Sequence, residues 1–203
     1  MTPLCELAKK HATDKGGDHY LAGDTCHTYT VAYWDLFKDK RDSVRHLLEV
    51  GVNYGCSLRM WEEFFPKAKI LGLDSNWSCL FHTDRITCIG ADQGNAKSLI
   101  GAMEKYGGPL FDVIIDDGSH ELGHQILTAN TLLPYLKEGG VYIIEDVTLD
   151  CQPESVMDHV PMPPGYRWEA IACPYGLGKA HCWDGCSNCH GTAAEYLIAI
   201  YRE

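Results

Sequence analysis

Leu48-Glu49-Val50-Gly51-Val52-Asn53-Tyr54-Gly55-Cys56-Ser57 decides how the rest of the chain is read. An apolar run ending at Val50 enters a turn marked by two glycines, and a helix-like segment, Leu58 to Phe65, follows. Glycine at a strand-to-helix crossing permits a tight turn and close backbone approach, and the helix N-terminus offers free N–H groups to a ligand. The spacing is Gly-x-x-x-Gly, not the Gly-x-Gly-x-x-Gly of dinucleotide-binding turns, and Glu49 stands two residues before Gly51. An acid there suits a cationic or hydroxyl-bearing ligand better than a pyrophosphate.

Outward from this turn, short apolar runs alternate with helix-like segments. His46 to Val50, Lys69 to Leu73, Ile86 to Ile89, Phe111 to Ile115 and Val141 to Ile144 read as strands, and Ala96 to Tyr106 and Gln125 to Leu136 as helices. Such alternation predicts an α/β fold, a mainly parallel sheet with helices on both faces. Val113-Ile114-Ile115 and Val141-Tyr142-Ile143-Ile144 are apolar on both pleat faces, as central strands are. Tyr166 to Ala172 and Ala194 to Tyr201 have no clear helix between them and are expected to close a seven-stranded sheet antiparallel. The first residues, polar and His/Gly-rich around a helix candidate at Val31 to Lys38, are expected to form a cap or lid. One domain is expected over 1–203: a cap over 1–44, a donor- and metal-binding core over 45–150, and C-terminal strands over 151–203 with a Cys/His-rich insertion at 173–192.

Composition narrows the function. With 203 residues, 45% of them hydrophobic, the chain can bury a full core. Its net charge of −11 repels phosphate backbones and anionic lipid, so nucleic acid and membrane are unexpected partners and a small-molecule acceptor is expected. No apolar run reaches the ~18 residues of a membrane span, and Met1-Thr2-Pro3-Leu4-Cys5-Glu6 lacks the basic start of a leader, so a cytoplasmic location with reduced thiols is expected.

The remaining strand ends carry acids. Asp74 closes Leu71-Gly72-Leu73-Asp74, about 20 residues after the first turn, where a carboxylate can accept the hydroxyls of a ribose. Asp92, in Cys88-Ile89-Gly90-Ala91-Asp92-Gln93, is offered to an adenine amino group. Asp116-Asp117-Gly118-Ser119-His120 and Glu145-Asp146 end neighbouring strands, so Asp117, Glu145 and Asp146 can converge at one crevice. Three carboxylates together repel, and a hard divalent cation, Mg²⁺ first, resolves the repulsion. His120, three residues past Asp117, has the near-neutral pKa of a general base. His124, one turn on, is expected to support it or lie at the surface.

The order of these pieces resembles the class I S-adenosylmethionine-dependent methyltransferases. His11-Ala12-Thr13-Asp14-Lys15-Gly16, Tyr29, Ser57-Leu58-Arg59-Met60-Trp61, Asp116-Asp117-Gly118-Ser119-His120 and Ile144-Glu145-Asp146 resemble, more closely, the metal-dependent sugar O-methyltransferases of macrolide biosynthesis and their cephalosporin-hydroxylase-like relatives. The resemblance implies a Rossmann-like fold and a sulfonium donor, S-adenosyl-L-methionine, held by Glu49, Gly51, Asn53, Ser57, Asp74, Asp92, Gln93 and Asp116. It places Thr13, Lys15 and Tyr29 over that donor, Mg²⁺ on Asp117, Glu145 and Asp146, and the base at His120. It implies methyl transfer to a hydroxyl of a glycosylated or polyhydroxylated small molecule, and it is compatible with a homo-oligomer.

Other readings stay open on the residues alone. A catechol-type O-methyltransferase would use the same metal site with a flatter acceptor pocket. A nicotinamide oxidoreductase lacks its third glycine. A non-catalytic metal-binding module would rest on Cys173, Cys182, Cys186 and Cys189, whose spacing fits a Zn²⁺ site, disulfides or free thiols.

Overall fold

A computed structural model describes residues 2–16, 28–147, 153–174 and 194–203. Helices α1 (Pro3–His11) and α2 (Tyr29–Phe37) precede β1 (His46–Val50), α3 (Cys56–Phe64), β2 (Lys69–Asp74), β3 (Ile86–Gly90), α4 (Ala96–Tyr106) and β4 (Phe111–Asp116). Then come α5 (Leu122–Leu132), β5 (Leu136–Val147), α6 (Pro153–Met157), β6 (Tyr166–Pro174) and β7 (Ala194–Arg202). The strands form the expected seven-stranded sheet, ordered β3-β2-β1-β4-β5-β7-β6, in which β7 runs antiparallel to both neighbours. Strand order reverses between β1 and β4, and ligands of such sheets bind outside the carboxyl ends of the strands at that switch.

Side chains of successive strand residues point to opposite faces, which sorts the core into two layers. Leu47, Val113, Ile115 and Ile143 pack with Leu4, Ala8, Tyr29, Tyr33, Phe37 and Trp61 on the face covered by α1, α2 and α3. Leu48, Val50, Ile114 and Ile144 pack with Leu99, Met103, Ala129, Leu132 and Val156 on the face of α4, α5 and α6.

Of the expected N-terminal cap or lid, 17–27 lie outside the described residues, and the two helices that flank them belong to the core. Leu4, Ala8, Tyr29, Tyr33 and Phe37 are fully buried, so α1 and α2 are a layer of the core. Helix α2 matches the helix candidate at Val31 to Lys38, whereas the polar residues of α1 hid a helix that buries Leu4, Cys5 and Ala8. Aromatic contacts fix α2: Tyr33 meets the Trp61 ring edge-on at 5.1 Å and Phe37 meets Phe65 at 5.4 Å, arrangements contributing roughly 0.5–1.5 kcal/mol per pair beyond area burial.

The helix expected over Gln125 to Leu136 stops at Leu132, because Pro134 lacks a backbone N–H and the chain turns through Leu133–Tyr135 into a longer β5. Helix α6 was not expected at all. Among the described residues no helix is long and apolar enough to cross a membrane.

One carboxylate staples the far edge of the central strands. Asp112 Oδ2 accepts the backbone N–H groups of Arg45 (2.8 Å) and His46 (3.0 Å), and Oδ1 accepts Lys137 Nζ at 2.8 Å. Burial works to raise its pKa, but the Lys137 ammonium and the two N–H donors outweigh it and hold it below the usual value of 3.8. A carboxyl lowered in the folded state stabilises above its unfolded pKa and loses that contribution as pH falls through the folded one. Asp112→Asn should thus cost about 1–2 kcal/mol at pH 7, less than a fully buried charged bond because the Lys137 partner is half exposed. Urea unfolding checks it, and the gap to wild type should close as pH drops below 3.8.

Candidate active site

The register builds the site. Asp116 lies beside Val50 on one side and Ile144 on the other, so Asp117 and Glu145 each stand one residue beyond a paired position at adjacent strand ends. Glu49, two residues after Leu47, shares the face of α1 and α2. Gly51 has φ +97°, and a Cβ there would lie 1.9 Å from the Asp117 carbonyl oxygen. The turn is stitched by Gly51 N–H to Leu73 O (2.8 Å) and Asp117 N–H to Val50 O (2.9 Å). The close approach expected of Gly51 is thus made by the β4 loop, which leaves no room for a ligand above its Cα.

Lys15 fills the centre. Its side chain is 1% exposed, and Nζ lies 2.5 Å from Asp117 Oδ2, 2.7 and 2.6 Å from the two Glu145 oxygens and 3.5 Å from Glu49 Oε1. Burial opposes its charge, but Asp117, Glu145 and Glu49 outweigh that and raise its pKa well above normal. The Tyr33 hydroxyl donates to Glu145 Oε1 and the Gln125 amide donates to the Glu145 carbonyl at 3.0 Å. Burial, then Asp117, pushes the Glu145 carboxyl up, with Lys15 working against them. Glu49 is pushed to about 7 by burial against the pull of Lys15. Its Oε2 accepts Ser57 Oγ at 3.1 Å, and its buried Oε1 has no hydrogen-bond partner.

Asp146 faces elsewhere. Tyr29 Oη donates to Asp146 Oδ1 (3.0 Å) and accepts its backbone N–H (3.2 Å), while His120 Nδ1 lies 3.4 Å from Oδ2. His120 and Asp146 both adopt left-handed backbone, at φ +59° and +55°, as does Asn53 at +46°. Such residues cost about 1–3 kcal/mol each and persist where their surroundings over-determine them, commonly at functional sites.

The acids consequently form two trios that share Asp117. Glu49, Asp117 and Glu145 bring one oxygen each within 4.8 Å of one another, and so do Asp117, His120 and Asp146 with their ligand atoms. The expected trio of Asp117, Glu145 and Asp146 is divided between them, Glu145 grouping with Glu49 and Asp146 with His120. Four carboxylates against one ammonium leave three uncompensated negative charges when all are ionised. Hard oxygen donors, one of them a buried oxygen without a partner, suit a divalent cation of the Mg²⁺ kind.

The donor residues gather nearby. Asp74 Oδ2 accepts the Val52 and Asn53 N–H groups at 2.8 and 3.2 Å, and Oδ1 accepts that of Asn76 at 2.8 Å. Burial works upward on its pKa, but these donors hold it below normal. Together with the Cys79 thiol they fix the Asp74 carboxylate at the end of β2. Asp92 is exposed and caps its own turn through Gly94 N–H at 2.9 Å. Gln93 is buried and bridges, donating to Asp116 Oδ1 (2.6 Å) and accepting the Ser119 N–H (2.8 Å). Asp116 is 1% exposed and burial raises it to about 8. Its Oδ2 and the Tyr142 hydroxyl each lack a partner of good hydrogen-bond geometry, although they feel one another electrostatically. Asp116, expected at the donor, is buried here and braces the β3 and β4 loops through Gln93.

Thr13 and Tyr29 are likewise buried, Tyr29 against Asp146 and not in a lid. His124 supports the loop through Ser119 Oγ at 2.8 Å. Tyr33 and Gln125 were not foreseen; Tyr33 stands four residues after Tyr29, the spacing that puts both hydroxyls on one helix face. Cys173 is buried in β6, and Cys182, Cys186 and Cys189 lie outside the described residues.

The fold is the Rossmann-like one found in solved methyltransferases. In sequence, 71% of the chain is similar to part of several sugar O-methyltransferases. It is 37% identical over 151 residues to mycinamicin VI 2''-O-methyltransferase from Micromonospora griseorubida, covering 71% of this chain and 36% of the relative. It is 35% identical over 151 residues to 8-demethyl-8-alpha-L-rhamnosyl tetracenomycin-C 2'-O-methyltransferase from Streptomyces olivaceus, covering 71% and 37%. The solved MycE methyltransferase of the mycinamycin pathway, in complex with Mg, SAH and mycinamycin VI, matches with TM-score 0.62 and 35% identity over 72% of this chain and 39% of that one. The chain spans little more than a third of the length of these relatives. No protein-family model matches it.

Gly51→Ala should destabilise the domain by at least about 2 kcal/mol, since the methyl group meets backbone and φ is unfavourable for L residues. Chemical denaturation measures it; unchanged stability would mean that the Asp117 loop does not rest on this turn.

Proposed function

We propose that this domain transfers the methyl group of S-adenosylmethionine to a hydroxyl of a glycosylated small molecule, assisted by Mg²⁺ in a cytoplasmic setting. The observation that carries the reading is the convergence of Glu49, Asp117, Glu145 and Asp146 with His120 at the ends of β1, β4 and β5, in a chain similar to part of several sugar O-methyltransferases.

Glu49 faces the positively charged end of the donor and Asp74 accepts one ribose hydroxyl. Asp117, Glu145 and Asp146 would hold the ion. Bound Mg²⁺ supplies Lewis-acid polarisation that lowers the pKa of an acceptor hydroxyl. His120 takes that hydroxyl's proton through Nε2, the nitrogen facing away from Asp146, while Nδ1 is oriented by the Asp146 carboxylate. The acceptor oxygen then forms a bond to the methyl carbon as the carbon–sulfur bond breaks, and S-adenosylhomocysteine leaves. Buried Tyr29 keeps Asp146 in place throughout.

Mass spectrometry of a reaction with methyl-labelled S-adenosylmethionine, Mg²⁺, glycosides and catechols tests the reading. Label on a sugar hydroxyl is expected; label on catechols alone, or none, overturns it. His120→Ala should lose roughly 10²–10⁴-fold in rate while S-adenosylhomocysteine binding by calorimetry stays unchanged. Asp74→Ala should instead weaken that binding by about 1.5–3 kcal/mol. Zinc content of the same preparation reports whether Cys173, Cys182, Cys186 and Cys189 hold a soft metal, with one equivalent expected if they do.

A further inference from the structure

Lys15 stands where a cation must go. Its ammonium contacts both oxygens of Glu145 and one of Asp117, two residues assigned above to Mg²⁺. The Tyr33 hydroxyl occupies Glu145 Oε1 as well. In this arrangement Glu145 has little capacity left for an ion, and Asp146 points away toward His120. A third carboxylate lies within reach of the same ammonium: Glu49 Oε1, fully buried, without a hydrogen-bond partner and 3.5 Å from Nζ. An unsatisfied buried acceptor is costly, so it draws any donor that comes within reach.

We infer that Lys15 is a tethered cation that holds Glu145 and Asp117 while no metal is bound, and that metal entry shifts its ammonium onto Glu49. The inference rests on the metal-dependent reading above and deepens it. Lys15 is a positioning residue: it competes with the ion for two carboxylates and then satisfies the orphaned oxygen of Glu49. Because Glu49 also faces the donor, the shift carries news of metal occupancy to the donor pocket.

The test is a double-mutant cycle on Mg²⁺ and Mn²⁺ affinity, measured by calorimetry and Mn²⁺ paramagnetic resonance on the intact chain. Lys15→Met should bind the ion about tenfold more tightly, having no competitor. Glu49→Gln should bind it about tenfold more weakly, because Lys15 loses its alternative partner and stays on Glu145. The double variant should match Lys15→Met, since Glu49 matters to the ion only through Lys15. Two contacting residues of one network are expected to be non-additive in this way, whereas independent effects add.

If Glu49→Gln weakens metal binding equally with and without Lys15, Glu49 acts as a ligand or through space, and the inference falls while the metal reading survives. If the wild type binds neither ion, the metal reading itself fails and takes this inference with it. Circular dichroism verifies folding. Should Lys15→Met not fold, Lys15→Arg replaces it: the charge is kept, so an effect through space predicts unchanged affinity, whereas a guanidinium gripping Glu145 bidentately predicts about tenfold weaker binding.

Discussion

The ion cluster around Lys15 is the constraint on which the rest of the structure depends. Glu49, Asp117 and Glu145 come from three different strands, and nothing apolar can hold three carboxylates together. At an effective dielectric near 20, two unit charges 4 Å apart interact by about 4 kcal/mol, so the sign of the central charge decides whether these strand ends can be neighbours. Lys15 Nζ lies 2.5 Å from Asp117, 2.6 Å from Glu145 and 3.5 Å from Glu49, so each carboxylate meets the ammonium directly. Its own position is set by the end of α1, and α1 is held by Leu4 and Ala8 in the core. The N-terminal helices, which form no part of the alternating α/β pattern, are thus what makes the acidic crevice tenable.

The opposite layer supports the site in another way. Gln93 ties the loop after β3 to the loop after β4, and Asp116 is buried beneath both. One face of the sheet manages charge and the other manages loop geometry. Asp117 sits where they meet.

The parallel sheet was legible because central strands are apolar on both faces and are separated by helical periodicity; each boundary from His46 to Asp116 falls within one or two residues of expectation. Strand-end acids were legible too, since topology alone brings the ends of β1, β4 and β5 together. Side-chain direction was not. Whether Glu145 and Asp146 point the same way depends on the left-handed backbone at Asp146, a conformation without a signature in a non-glycine residue. Lys15 and Tyr29 were picked out by resemblance, but their burial was hidden because polar residues surround α1 and α2, and a tyrosine hydroxyl reads the same over a ligand or under a carboxylate. Asp92 and Asp74 show a related ambiguity, as a loop carboxylate that accepts backbone N–H groups looks in sequence like one reserved for a ligand.

Tyr29 and Tyr33 project from a single helix to two successive residues of β5, one hydroxyl on Asp146 and the other on Glu145. Helix α2 is therefore a rigid bar with two fingers, seated through Tyr33 and Phe37 on Trp61 and Phe65. A rotation of that bar by a few degrees displaces both carboxylates in concert, something no substitution at the crevice could do. Hydrophobic volume beneath α2 thereby becomes a tuning variable for the chemistry above it, and drift in apparently structural aromatic positions would surface as altered cation preference before it surfaced as lost stability.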